Sequence, residues 1–161
     1  MRVYVPLTLS RLAEAYKAGE LGAETASLSA CAVTPALREW CATDDVEELE
    51  YAALSQAALA SLKLIAGEPG AARRRVVLAA DVADGALEDA GRAGSGELGE
   101  VRIAGVLPFK KVAAVHVDAE DAEADVAAAL GGAGRGDGGG DGVEDHELLW
   151  FATQEIPSLI G

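Results

Sequence analysis

The sequence predicts an α/β fold, a two-layer sandwich with a mixed sheet of about five strands and helices mainly on one face; the alternative is a doubly wound parallel sheet. Three observations lead there. Apolar runs of strand length alternate along the chain with helix-length segments that carry their own start and stop residues. Two strand segments, 24–33 and 100–106, alternate apolar with polar residues, so each has one face worth burying. Of 161 residues 50% are hydrophobic but only 4% aromatic, so the core must be Ala, Leu and Val, which suits helices packed on a small sheet better than an aromatic-lined cleft.

The first elements are a strand and a helix. RVYVP, 2–6, reads as a short strand; Thr8 or Ser10 caps a helix to about Ala18 with Leu9, Leu12, Ala13 and Tyr16 at helical spacing, ended by Gly19 and Gly22. After the strand 24–33, Thr34-Pro35 starts a short helix, since Thr caps and Pro at the first helical position has its φ already fixed. That helix places Ala36, Leu37, Trp40 and Cys41 on one side. Thr43-Asp44-Asp45 opens the longest helix, Val46 to Ala66, closed by Gly67 and Pro69. Val46, Leu49, Ala53, Ala57, Ala60 and Leu64 form one stripe on it, and Tyr51, Leu54, Ala58, Leu62 and Ile65 an adjoining one, a width that means burial on two sides.

RRVVLAAD, 74–81, is apolar nearly throughout and reads as an interior strand. A Gly/Ala-rich loop, 83–99, leads to the strand 100–106 and then to KVAAVHVD, 111–118. Asp118 is expected to cap a helix over 119–130, with Asp121 in its first turn. The segment 131–142 is a Gly-rich flexible loop, and VEDHELLWFATQEI, 143–156, is expected as a final helix stopped near Pro157. Residues 1–161 form a single domain, long enough to bury roughly 70% of the surface its unfolded chain exposes.

A formal charge of −14, from 27 acidic and 13 basic residues, opposes binding to nucleic acid or to an anionic membrane. Cys31 and Cys41 form neither a CxxC pair nor a set with His at zinc spacing, so we read them as free thiols in a reducing cytoplasm and expect no metal and no cofactor. No signal peptide or membrane segment is legible. Gly94, Gly96, Gly99 and Gly134, Gly136, Gly139 both match G-x-G-x-x-G, but the first leads into a strand and the second follows a helix, the wrong context for a dinucleotide.

Chemistry is best sought at strand ends. Thr8, Thr34, Asp81 and Asp118 each close an apolar strand, and parallel strands would gather all four at one carboxyl edge. His116 lies two residues before Asp118, so Asp81, His116 and Asp118 are the candidate catalytic or divalent-metal set. The plainer reading makes the Thr and Asp residues caps and His116 a strand histidine. Glu47 and Glu50 are explained by the helix dipole, yet both border apolar surface beside Tyr51 and suit an ionic contact with Arg38. Arg73, Arg74 and Arg75 read as solubilising charge at a strand entrance. On the expected last helix, His146, Trp150 and Gln154 share the side away from the core stripe, which makes them the candidate interaction residues.

MRVYVPLTL, AVTPALREW, EELEYAAL, VHVDAEDAEADV and DHELLWFATQEIP, together and in this order, resemble a family of small actinobacterial proteins classed only as a domain of unknown function. The resemblance runs from residue 1 to about 160 and fails only in the Gly-rich loops. It implies a bacterial, cytoplasmic protein and brings with it no activity, ligand or catalytic residue. Two hypotheses stand: a non-enzymatic interaction or regulatory module, with a protein partner or a second copy, and a small enzyme or metal-dependent binding protein using the strand-end Asp/His cluster. Few aromatics to line a pocket and the lack of a strong catalytic motif favour the first.

Overall fold

Strand β1 (Arg2–Leu7) and strand β4 (Val76–Asp81) are apolar at almost every position, and the architecture is the means of burying both faces of both strands. The computed structural model describes residues 1–22, 27–68, 70–83, 87–89, 99–132 and 148–160. Among these, β3 (Ser27–Ala32), β5 (Leu87–Asp89), β6 (Glu100–Ala104), β8 (Val112–Val117) and β9 (Leu149–Phe151) join β1 and β4 in one seven-stranded sheet, ordered β5-β6-β3-β1-β4-β8-β9. A separate two-stranded ribbon pairs β2 (Glu20–Leu21) with β7 (Leu107–Pro108).

Every pairing in the sheet is antiparallel, which overturns both the mixed sheet and the parallel alternative. The alternation of strand and helix misleads for a definite reason. Helices α2 (Pro35–Cys41) and α3 (Val46–Ala66) carry the chain from β3 to β4, two strands that do run the same way, but β1 lies between them and is antiparallel to both. The crossover is split by the first strand of the chain.

Helices cover both faces, where the sequence suggests one. Val3, Val5 and Leu7 of β1 point with Leu78, Val115, Val101 and Ile103 toward α1 (Leu9–Ala18) and α5 (Ile156–Ile160), where Leu12, Ala15 and Ile156 complete the larger core. The β2/β7 ribbon adds Leu21 and Leu107 to that core, and Phe109 closes on Tyr16 edge to face at 5.8 Å. Tyr4, Cys31, Val77 and Ala79 point the other way, against Leu37 of α2 and Ala53, Ala57 and Ala58 of α3. Pairing Tyr4 with both Cys31 and Ala79 keeps this alternation in step across three strands.

The helix starts behave as their residues dictate. Thr8, Thr34 and Asp45 accept hydrogen bonds from the backbone N–H groups of Arg11, Leu37 and Glu47, and Gly19 ends α1 at φ 77°. Helix α3 spans the expected residues, yet Val46, Tyr51 and Leu59 are exposed: its buried side is Leu49, Ala53, Ala57, Ala58, Ser61 and Ile65. On α2 only Leu37 is buried, and Trp40 is 75% exposed because seven residues give the helix one point of contact.

Three expected segments are corrected. The loop 83–99 contains β5. Helix α4 (Glu123–Gly132) runs two residues into the expected flexible loop 131–142, whose remainder lies outside the described residues. The expected helix 143–156 is strand β9 at 149–151, then a 3-10 turn at Thr153–Glu155, with α5 beginning at Ile156. Trp150 and its neighbours fit either period over so short a run, and an open position beside β8 decides for the strand.

One hydroxyl fastens α3 to the sheet. Ser61 Oγ donates to Leu7 O at 2.7 Å and accepts from Val76 N at 2.9 Å, with the side chain fully buried. The hydroxyl thus serves β1 and β4 where their ladder ends. Ser61→Ala should destabilise the protein by about 2–3 kcal/mol, because it strands a buried carbonyl and a buried N–H. Urea denaturation monitored by circular dichroism measures this; a loss under about 0.5 kcal/mol would mean that the fastening is dispensable.

Candidate functional site

The antiparallel arrangement separates the residues that a parallel sheet would have gathered. Leu7 pairs with Val76 and Val76 with Val117, so Thr8 and Asp118 lie at one end of the sheet. Arg2 pairs with Asp81, and Val3 with Ala32 just before Thr34, which puts Asp81 and Thr34 at the opposite end. Six strand residues at about 3.4 Å each place Asp81 and Asp118 roughly 20 Å apart. His116, opposite Val77, belongs with neither. The three do not converge, and among the described residues no three His, Cys, Asp or Glu side chains gather as metal ligands.

Each of these groups has another occupation. Asp118, fully buried, is an ion-pair partner and not the expected cap. Its carboxylate receives Arg75 Nε at 2.8 Å, Arg75 Nη2 at 2.8 Å and the Arg75 backbone N–H at 2.9 Å, while its carbonyl oxygen accepts from Arg74 Nε at 2.9 Å. Two of the three arginines that read from sequence as solubilising charge, Arg74 and Arg75, are therefore held inward. Asp118→Ala should cost about 3–5 kcal/mol by taking the carboxylate from a buried, doubly hydrogen-bonded ion pair. Thermal unfolding checks this, and an unchanged melting temperature would overturn the structural assignment.

At the other end Asp81 pairs with Arg2, which donates from Nε at 2.8 Å and from Nη2 at 3.2 Å. This pair is open to solvent, and the hydrogen bond from Arg2 holds the Asp81 carboxyl below its usual range. Tyr4 OH makes a long 3.5 Å contact to Glu50 Oε2; burial, then the Glu50 charge, pushes the phenol up to about 12. Glu50 thus answers Tyr4 and not Arg38. Arg38 shares a shallow depression with Glu50 but makes no ion pair among the described residues; Glu47 and Tyr51 are exposed.

His116 is half-buried on β8 opposite Trp150 of β9. Burial, then the Arg2 charge, lowers its pKa below the ordinary 6.5. The unfolded imidazole therefore takes a proton that the folded one resists, so stability is full above 6.5 and is lost as pH falls through the folded value. His116→Gln should flatten the decline in melting temperature between about pH 7 and 5; an equal decline in both proteins would show that His116 is not its source.

Of the expected interaction set, His146 lies outside the described residues and Gln154 is exposed on the 3-10 turn, no longer one helical turn from Trp150. Trp150 is 62% exposed and Leu149 47%, on the last strand of the sheet order. A Leu-Trp-Phe edge strand carries none of the charges, prolines or bulges that commonly blunt such an edge. Exposed Glu120, Asp121 and Glu123 follow the end of β8 that pairs with Leu149, and the sequence entering β9 holds Asp141, Glu144, Asp145 and Glu147. Sequence reasoning picks out Trp150 but places it on the wrong element; the signal it misses is the Leu-Trp-Phe run itself, rich in strand formers.

No described helix is long and apolar enough to cross a membrane. A family model described as "Family of unknown function (DUF6912)" matches residues 1–160. No curated protein and no solved structure matches the chain.

Proposed function

Since the chain belongs to that family of unknown function, we propose a role from its own geometry: a non-enzymatic interaction module that takes an extended, basic segment of a partner protein along the outer edge of β9. The observation that carries this reading is Trp150, 62% exposed on a strand that ends the sheet among the described residues. An added strand would be held by main-chain hydrogen bonds, and the indole would supply the anchor. Acidic residues at one end of β9 and a net charge of −14 favour a cationic partner and work against self-pairing of two copies. Cys31 and Cys41, both outside any disulfide, suit a cytoplasmic setting.

Panning the immobilised protein against a random-peptide library tests the proposal. Enriched peptides should carry Lys or Arg beside alternating apolar residues, bind less tightly as salt rises, and lose about 30-fold in affinity or more on Trp150→Ala. The same substitution should change stability by less than about 1 kcal/mol, since the ring is a surface group. Peptides that bind the variant as well as the parent would sink the proposal, as would a concentration-dependent dimer abolished by Trp150→Ala.

A further inference from the structure

His116 of β8 and Trp150 of β9 are directly opposed in an antiparallel pair, so imidazole and indole leave the same face of the sheet, with Cβ atoms about 5 Å apart. Resting on the reading of β9 as a docking edge, we infer that His116 is a proton-operated gate on that edge. The basic segment binds while the imidazole is neutral and is released when the ring takes up a proton.

The surroundings of the ring make it a gate. It is half-buried and makes no hydrogen bond or ion pair among the described residues, so a charge on it depends on water at its open side. Neighbouring carboxylates are engaged elsewhere. Opposite His116 on β4 stands Val77; Arg75, two residues before Val77, holds Asp118 of His116's own strand, and Asp81 at the far end of β4 is held by Arg2. On the 3-10 turn packed against β8, Glu155 accepts from Ala152 N. On α3, Glu50 contacts Tyr4, Glu47 and Glu48 belong to the first turn, and Lys63 lies on the flank toward β3. Arg2 is the described charge that acts on the ring, and it opposes protonation.

A strand added along β9 would set a side chain beside Trp150 on this face. It would take water from the open side of the ring and bring lysine or arginine that an imidazolium repels. The docked state then binds a proton less readily than the free one, and the coupling is reciprocal. Affinity is full above the ordinary 6.5 and falls as pH drops through the lower value of the free protein. Carboxylates, which titrate near about 4, keep their charge over most of that range.

Peptides of lysine, arginine and apolar residues enriched by panning at about pH 7.5 are the probe. Measured by fluorescence anisotropy, their binding should weaken at least about threefold by about pH 5.5 in the parent, and less than about 1.5-fold in His116→Gln. His146→Gln, the control for the second of the two histidines, should keep the loss. Proton NMR of the parent adds a readout that needs no variant: His116 should titrate at a pH lower by about 0.5 or more when the peptide is saturating. Equal affinity at both pH values overturns the gate and leaves the docking edge standing. So does a loss that persists in His116→Gln, or a His116 titration that the peptide does not move. If panning enriches no peptide, the docking edge fails and the gate with it.

Discussion

Neither face of β1 or β4 can be left to water, and the rest of the structure is shaped by that constraint. Fully burying an aliphatic side chain contributes about 1.5–3 kcal/mol, and Val3, Val5, Val76, Val77 and Leu78 are all fully buried. One layer of helices would leave one face uncovered, either Val77 with Tyr4 and Ala79 or Val3, Val5, Val76 and Leu78. The chain therefore sends α1 and α5 to one face and α2 and α3 to the other, and supplements the first with the β2/β7 ribbon. The layers must also be fixed in register, which is where the buried Ser61 hydroxyl of α3 acts.

The charged groups divide by depth. Arg75 and Asp118 lie inside, in bidentate geometry with further backbone bonds, and such a pair holds a specific arrangement more than it adds net stability. Arg2 and Asp81 lie at the far end in solvent, where an ion pair is worth little. From sequence the two aspartates look alike: each terminates an apolar strand. The difference between them is set by strand direction and by their surroundings, protein on every side of Asp118 and open solvent beside Asp81.

That comparison shows where sequence reasoning reaches and where it stops. Segments whose signal is local are legible: the three caps at Thr8, Thr34 and Asp45, the stop at Gly19 and the full extent of α3 all depend on residues within a few positions of one another. The direction of β1 relative to β3 and β4 depends on an insertion between strands distant in sequence, and no local pattern records it. The short strands β5 and β9, three residues each, give periodicity too little length to speak. Trp150 emerges as an interaction residue through a helical alignment that does not exist: at helical spacing its neighbours His146, Glu147, Thr153 and Gln154 are all polar, whereas at strand spacing they are Leu148 and Ala152.

The sheet order has a kinetic consequence. Arg2 and Asp81, neighbours in space, are 79 residues apart in the chain, and the central pairing of β1 with β4 is as non-local as that separation implies. Chains dominated by such pairings close large loops before contacts repay the entropy, and fold in milliseconds to seconds, not microseconds. On a ribosome adding about 5–20 residues per second, β1 is complete for several seconds before β4 exists to cover it. During that interval its apolar residues depend on β3 and the nascent helices, so the first strand made keeps one edge open until more than seventy further residues have been added.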